Sequence, residues 1–291
     1  MGIEYLETLE KEWNRKEVSY DTNNSVVMSN DFILRSASNL TLNEMKLLRL
    51  IITQCKKDDK ELYTFSLRAK DFAKLLDVDA DDMRRNLRIM TRHIMQEVLE
   101  IENPKTGDWL QFHWTDECRY KTGIVTIKIA DRLKPYLLDL KGHFTRYKLE
   151  EILPFKSAHA FKIYEILIAN IDDRKQPHAD QYSIINVSMD TLRTATMTKD
   201  KYTKYANFRV RVLEPAVREI NDKTKYHVTA KPYKNNKTIV GIEFLVESQA
   251  GYYHRTEGDP RKIKINTDQE QLPGQMDLFD YKTGDNKFTI T

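Results

Sequence analysis

Basic and amide side chains are concentrated in one stretch of the second half of the sequence. From Met197 to Lys237 there are eleven Lys and Arg residues against four Asp and Glu residues, a local excess of +7 in a chain whose formal net charge is +3. Arg can pair with guanine N7 and O6 through two hydrogen bonds, and Asn can pair with adenine N6 and N7 in the same way. This concentration indicates a surface that binds nucleic acid; the alternative is a solvated basic face without a partner.

The segment YTKYANFRVRVLEPAVREIN (202–221) has the periodicity of an amphipathic helix. Its apolar residues recur at every fourth position and are Phe208, Val212, Ala216 and Ile220. Its polar residues gather on another side of the helical wheel and are Lys204, Asn207, Arg211 and Arg218. Asn207 and Arg211 lie one turn apart and are candidates for base contacts, each worth about 1–3 kcal/mol of discrimination. Arg209 falls among the apolar residues, but it is a further candidate because it stands near the start of the helix.

Lysines stand on both sides of this predicted helix. Lys199, Lys201 and Lys204 lie at its entrance, and Lys234 and Lys237 bound KNNK (234–237), a predicted tight turn between two β-patterned runs. We expect these lysines to meet phosphates, which hold the register of a protein on DNA without reading its sequence.

A weaker basic pattern occurs in the first half of the sequence. Its members are Arg84, Arg85, Arg88 and Arg92, and they are diluted by Asp79, Asp81 and Asp82. This mixture favours contacts with the DNA backbone or with protein over base reading.

The elements that must position these residues follow the order of a winged helix. In the first half, Thr41 and Glu44 form a predicted capping box ahead of a helix. A strand (63–67), two helices (70–76 and 81–100) and two β-patterned runs (109–114 and 123–129) are predicted next. A short helix is predicted before them, from Ile3 to Val18.

The same order then recurs. The buried positions predicted for the helix after Thr41 reappear 116 residues later as Phe161, Tyr164, Leu167 and Ile168, and a strand is predicted at 181–187. The sequence thus predicts an α+β fold of two tandem winged-helix domains with a disordered C-terminal tail. We expect an N-terminal arm (1–25), a first winged helix (26–142), a second winged helix (143–249) and the tail (250–291).

Composition and motifs narrow the function. With 40% apolar and 31% charged residues, no long apolar run and no export signal, the 291 residues indicate a cytoplasmic protein without a membrane anchor. Cys55 and Cys118 are expected to be buried apolar residues in a reducing compartment. The sequence lacks the GxxxxGK[ST] motif, a pair of histidines with one residue between them, and clustered Cys and His. It therefore predicts no catalysis, no cofactor and no metal site.

The run from Asp190 to Val246, densest around VLEPAVREIN (212–221), resembles the plasmid replication initiators with two winged helices that bind iterons. The segments VVMSNDFI (26–33), LTLNEMKLLRLI (40–51) and RYKLEEILPFKSAHAFKIYEILI (146–168) are similar to the same family. The resemblance implies recognition of repeated origin sites through the second domain, with base contacts from Asn207, Arg209 and Arg211. It also implies dimerisation through the first domain, with dimers repressing their own promoter and monomers initiating. Val210 stands where some members have a basic residue, which bears on the base preference.

A pentapeptide in the tail has a second resemblance. Its residues are Gln275, Met276, Asp277, Leu278 and Phe279, and they are similar to the motif by which bacterial polymerases and repair proteins bind the sliding clamp. A chance match is the alternative. Leu and Phe can fill an apolar pocket, and a disordered segment can order on binding.

The sequence thus predicts a non-enzymatic plasmid replication initiator that binds direct repeats of double-stranded DNA and helps to open the origin. The expected partners are origin DNA, a second copy of the chain, the sliding clamp, the host initiator ATPase and the replicative helicase. A winged-helix transcriptional repressor without initiator activity is the alternative. A nicking enzyme is disfavoured because it would need paired metal-binding histidines.

Overall fold

The computed structural model describes residues 15–103, 105–138, 140, 143–171, 182–250 and 252. The chain divides between Leu153 and Pro154 into two compact units. None of the helices in this described part has the length and apolar character of a membrane span.

The first unit combines short helices with strands from distant parts of the sequence. Its helices are α1 (Asn30–Arg35), α2 (Leu42–Ile52), α3 (Ala69–Leu76), α4 (Ala80–Gln96) and α5 (Lys134–Leu137). Its strands are β1 (Arg15–Glu17), β2 (Ser25–Ser29), β3 (Ser36–Ala37), β4 (Thr64–Arg68), β5 (Val98–Glu102), β6 (Trp109–His113), β7 (Thr115–Lys121), β8 (Ile124–Ile129) and β9 (Phe144–Lys148). One sheet has the order β1-β4-β8-β7, a second has β3-β5-β6, and β2 pairs with β9.

Local sequence signals explain the helices that match their predicted positions. The capping box before α2 is present, with the Thr41 backbone N–H donating to Glu44 Oε2 at 2.8 Å. Asp79 caps α4 by accepting from the backbone N–H groups of Asp81 and Asp82. Helix α4 buries one face, formed by Met83, Leu87, Met90 and Ile94, and it leaves its charged face in solvent.

The predicted helix at 81–100 is too long, because α4 ends at Gln96 and Val98 begins β5. The β-patterned runs at 109–114 and 123–129 are not partners: β6 pairs with β5, and β8 pairs with β7 to form the hairpin of the first wing. Arg15–Glu17 is a strand parallel to Thr64–Ser66, so the end of the helix predicted from Ile3 to Val18 is also wrong. The earlier residues of that helix lie outside the described ones. Strands β1 and β5 have distant partners, β4 and β3, that local pattern cannot reveal, whereas β7 and β8 are neighbours joined by a two-residue turn.

The expected domain boundary at 142/143 differs from the division of the structure. Strand β9 pairs antiparallel with β2, with Tyr147 opposite Val26, so residues 143–153 belong to the first unit. The backbone of this strand-like segment pairs with strand β2 near the amino end of the same unit.

The second unit contains the helical segment predicted at 202–221 and a long hairpin. Its helices are α6 (Ala158–Ala169), α7 (Met189–Ala195), α8 (Tyr205–Phe208) and α9 (Glu214–Lys223), with a π-helical turn at Arg209–Leu213 between the last two. Its strands are β10 (Tyr182–Ser188), β11 (Tyr226–Asn235) and β12 (Thr238–Ser248), in the order β10-β12-β11. The side chains of Ser157 and Ser188 cap α6 and α7. The repeat positions Phe161, Tyr164, Leu167 and Ile168 are all buried, as are their counterparts in α2.

Candidate nucleic-acid interface

Residues 205–223, comprising α8, the π turn and α9, form one continuous helical segment that we call the basic helix. The sequence pattern predicted a regular helix from Tyr202, but Tyr202 has a left-handed backbone (φ 52°) and the helix begins at Tyr205. Pro215 explains the π turn. Its ring lacks an N–H and crowds the carbonyl four residues earlier, so the preceding turn widens and the Glu214 N–H donates to the Arg209 carbonyl, five residues back.

The π turn changes which side chains face the solvent. It adds one residue: Phe208 is the counterpart of Leu87 at an offset of 121, while Ala216 is the counterpart of Ile94 at an offset of 122, and all four are buried. A regular wheel places Arg209 beside Val212, whereas in the structure the Arg209 side chain is 52% exposed. Its Nε lies 3.4 Å from Glu214 Oε1, an exposed pair of the kind that contributes at most about 1 kcal/mol. Arg209 is therefore accessible to a ligand.

Asn207 and Arg211 are both exposed on the basic helix, one turn apart. Val210 lies between the two arginines and is 51% exposed. In the sequence, Val210 stands out only as a departure from a family pattern. The structure shows that Val210 is exposed beside the polar side chains, which its residue type alone does not indicate.

The segment before the basic helix presents the three lysines predicted at its entrance. Lys199, Lys201 and Lys204 are exposed, and Lys199 Nζ lies 3.7 Å from Asp190 Oδ1. We call residues 198–204 the basic loop. The loop is anchored at Thr198, whose buried hydroxyl lies 2.9 Å from that of Thr196.

The β11–β12 hairpin forms the wing of the second unit. Its tip is a two-residue turn at Asn236 and Lys237, with a left-handed backbone at Asn236 (φ 55°). Lys234 pairs with Ile239 just before the tip, Lys237 lies in the turn, and both lysines are exposed. The hairpin base is tied to the basic helix, because Asn221 of α9 donates to the Val228 carbonyl at 3.0 Å and accepts from its N–H at 2.7 Å.

All eight residues predicted to contact DNA thus lie exposed in the second unit, on the basic loop, the basic helix and the wing. None of these eight residues lies in the core. The predicted clamp-binding residues Gln275–Phe279 lie outside the described residues.

The first unit has a smaller basic surface on α4. Arg84, Arg85, Arg88 and Arg92 are exposed, and Arg85 pairs with Asp82 at 2.6 Å. Arg84 and Arg88 line a cavity of 410 Å³ together with Arg119 and Tyr120 of the first wing. The Arg84 guanidinium lies 5.7 Å from the centre of the Tyr120 ring.

Groups that could support redox or metal chemistry are scarce in the described part of the chain. Within it, no cluster of three or more His, Cys, Asp and Glu residues is placed to hold a metal ion. Cys55 and Cys118 are free thiols. Both are half-buried, whereas the sequence predicted that they are buried. Burial raises the pKa of Cys55 to about 12 and that of Cys118 to about 11, so both remain protonated and weakly nucleophilic at neutral pH.

Comparison with known proteins decides the family. Residues 25–168 match the model described as "Initiator Replication protein, WH1", and residues 188–246 match "Initiator Rep protein, WH2". The chain belongs to this family of initiator replication proteins. The initiator is 24% identical over 247 residues to a replication initiation protein of Escherichia coli, a match that covers 84% of this chain and 76% of the relative.

The fold of the initiator is also similar to a solved structure, "Crystal structure of Pi initiator protein in complex with iteron DNA". The TM-score is 0.63 at 17% sequence identity, and the match covers 78% of this chain and 98% of the other. The predicted α+β fold with two winged-helix domains is therefore confirmed.

Proposed function

We propose that the initiator marks a plasmid origin of replication by binding directly repeated double-stranded sites through its second winged helix. The observation that carries the proposal is the basic helix, which exposes Asn207, Arg209 and Arg211 while Phe208 and Val212 anchor it in the core. An α-helix fits the major groove of B-DNA, where Arg and Asn can each make two hydrogen bonds to a purine edge. The family membership supports the same role.

The phosphate contacts come from the basic loop and the wing. Lys199, Lys201 and Lys204 flank the amino end of the basic helix, and Lys234 and Lys237 lie at the wing tip. Each such contact releases counterions and adds affinity that is independent of base sequence. The loop and wing therefore hold the helix in register, and the helix reads the bases.

Val210 adds an apolar group to the exposed face of the basic helix that carries Arg209 and Arg211. Its exposed side chain, between Arg209 and Arg211, suits contact with the methyl group of thymine. Binding of repeats in which one thymine at a time is replaced by uracil tests this role. At one position the replacement should weaken DNA binding by the wild-type protein but not by Val210→Ala. An equal loss of affinity in both proteins at every position would refute the contact.

The initiator acts without catalysis in the cytoplasm, where plasmid DNA lies. Origin opening then comes from bending of the repeats and from the assembly of several copies on them, because elastic deformation of DNA can be driven by binding energy. A pull-down on origin DNA would show whether the host initiator ATPase and the replicative helicase join this assembly.

Self-association through the first unit is a further part of the proposal. Strand β6 is an edge strand of its sheet among the described residues, and Trp109 on it is 61% exposed. Edge strands with exposed apolar residues favour pairing with another chain. Sedimentation of wild type and Gln111→Pro tests this, since proline at an edge blocks strand addition; an unchanged dimer fraction would place the dimer contact elsewhere. Dimers formed in this way would repress the initiator's own promoter.

The tail motif Gln275–Phe279 supports recruitment of the sliding clamp, so that origin recognition is coupled to loading of the replication machinery.

Binding to DNA from the region flanking the reading frame tests the proposed function. We expect preference for tandem repeats of about 20 base pairs, two helical turns, over scrambled DNA. We also expect a small plasmid carrying the frame and these repeats to replicate. Binding to a single palindrome only, with no replication, would instead indicate a transcriptional repressor.

A further inference from the structure

Arg193 of α7 donates four hydrogen bonds to main-chain carbonyls of the basic loop. Its Nη1 donates to the carbonyls of Thr198 (3.1 Å) and Lys201 (3.0 Å). Its Nη2 donates to the carbonyls of Tyr202 (2.9 Å) and Thr203 (3.1 Å). A guanidinium group can make this set of contacts because its donors lie in one plane in a fixed fork.

The carbonyls converge because the chain bends at two left-handed residues, one immediately before the loop and one within it. Met197 has φ 53° and Tyr202 has φ 52°, conformations that are unfavourable for residues with a side chain. The Thr198 N–H also donates to the Arg193 carbonyl at 2.8 Å, which closes the start of the loop on α7. Without a cation among them, four carbonyl oxygens facing one point would repel each other.

The same side chain reaches the basic helix. The guanidinium carbon of Arg193 lies 5.0 Å from the centre of the Phe208 ring, and Phe208 is fully buried at the first turn of that helix. Arg193 thus connects α7, the basic loop and the start of the helix that exposes Asn207. The three lysines of the loop, in contrast, are exposed.

We propose that Arg193 is a positioning residue for DNA binding, which holds the basic loop in the shape that presents Lys199, Lys201 and Lys204 to phosphates. The proposal rests on the proposed function of the second winged helix. Arg193 acts through the main chain of the loop, and its own donors are engaged there. Prior ordering of the loop lowers the entropic cost of binding, so its loss weakens binding even when every lysine remains.

Two variants separate this role from the charge of the side chain. Arg193→Gln removes the cation, while Arg193→Lys keeps it but has a single nitrogen that cannot reach four carbonyls in the same plane. Arg132→Gln, an exposed arginine of the first unit, is the control for the change in net charge. We expect both Arg193 variants to bind the repeats about tenfold more weakly or worse, with a shallower dependence of affinity on salt, and the control to match wild type.

Limited trypsin digestion reads the loop itself. In folded protein, as judged by circular dichroism, cleavage after Lys199 and Lys201 should be faster in both Arg193 variants than in wild type and the control.

His159 provides a second local readout. Burial, and after it the charge of Lys201, lower the pKa of His159. If the loop leaves its place, Lys201 withdraws and the pKa of His159, followed by NMR, should rise in Arg193→Gln.

The outcomes distinguish the inference from the proposed function. Wild-type affinity, salt dependence and trypsin resistance in the folded Arg193 variants would overturn the positioning role. Loss of folding in both variants would also overturn it, because Arg193 would then hold the whole domain together. If wild type itself shows no preference for repeats over scrambled DNA, the proposed function fails, and the trypsin and NMR experiments still decide whether Arg193 orders the loop.

Discussion

The ring of Tyr233 covers Gly241, its partner across the β11–β12 pair. A Cβ atom at Gly241 would overlap the hydroxyl oxygen and two ring carbons of Tyr233. The strand register shifts between Tyr233 and Lys234, immediately before the tip of the wing. Glycine thus allows an aromatic ring to lie on the strand where the hairpin changes its path, and the pair shapes the segment that carries Lys234 and Lys237.

Gly241→Ala should destabilise the protein, because the Tyr233 ring must move to admit a methyl group. We expect the free energy of unfolding in urea to fall by about 1–3 kcal/mol, the usual cost of overpacking. In a double-mutant cycle with Tyr233→Ala, the two effects should be less than additive, because the smaller side chain leaves room for the methyl group. Strict additivity would show that the ring does not occupy that space in solution.

Arg211→Ala should reduce discrimination between cognate repeats and scrambled DNA by about 1–3 kcal/mol, because one bidentate base contact is lost. Fluorescence anisotropy with both DNAs at one salt concentration measures the ratio. Arg218→Ala, two turns further along the basic helix, is the matched control and should change the ratio little. Equal losses of affinity for both DNAs on changing Arg211 would reassign it to the phosphates.

Changing both Lys234 and Lys237 to Ala should weaken the binding of all DNA to the same extent. The slope of log affinity against log salt concentration should become shallower by about two phosphate contacts. Lys57→Ala with Lys60→Ala, which removes two exposed lysines from a loop of the first unit, controls for net charge. A salt slope equal to that of wild type would exclude the wing from the interface.

His93 should make the stability of the first unit depend on pH. Its Nδ1 lies 2.9 Å from Glu44 Oε2 and its Nε2 lies 3.1 Å from Glu97 Oε1, and the hydrogen bond to Glu44 is the main cause of a raised His93 pKa. Protonated His93 is favoured in the folded state, so its contribution is complete below the unfolded pKa of about 6.5 and is lost as pH rises through the folded pKa.

The difference in unfolding free energy between wild type and His93→Gln should therefore shrink as pH is raised from about 6 to 9. Urea titrations at several pH values measure it. Parallel stability curves for the two proteins would show that the carboxylates do not favour the charged ring.

Changing Leu278 and Phe279 to Ala should abolish capture of the bacterial sliding clamp while repeat binding is retained, since the two apolar side chains would fill the clamp pocket. Phe288→Ala removes an aromatic residue of the same tail outside the motif. It is the control and should leave capture of the clamp unchanged. Retention of the clamp by the double variant would remove this motif from the mechanism.

Much of the fold is readable from local sequence. The Thr41–Glu44 capping box and the spacing of the buried α2 residues set a helix whose counterpart recurs 116 residues later. Alternation and a turn at Asn236–Lys237 set the β11–β12 hairpin. Residue type and charge density also pointed to Asn207, Arg211 and the flanking lysines, because donors and cations retain their chemistry whatever the tertiary structure.

What the sequence by itself determined is thus the chemistry of the candidate surface and the periodic elements, since both follow from neighbours in the chain. Tertiary structure alone decided that β8 pairs with β4 and β2 with β9, because these strands lie far apart in the chain and are brought together by burial and backbone hydrogen bonds. It also decided the exposure of Arg209, which lies at the start of the π turn, and the main-chain contacts of Arg193. Four carbonyls converge on one guanidinium only once Met197 and Tyr202 take left-handed backbones, and no residue pattern signals that geometry.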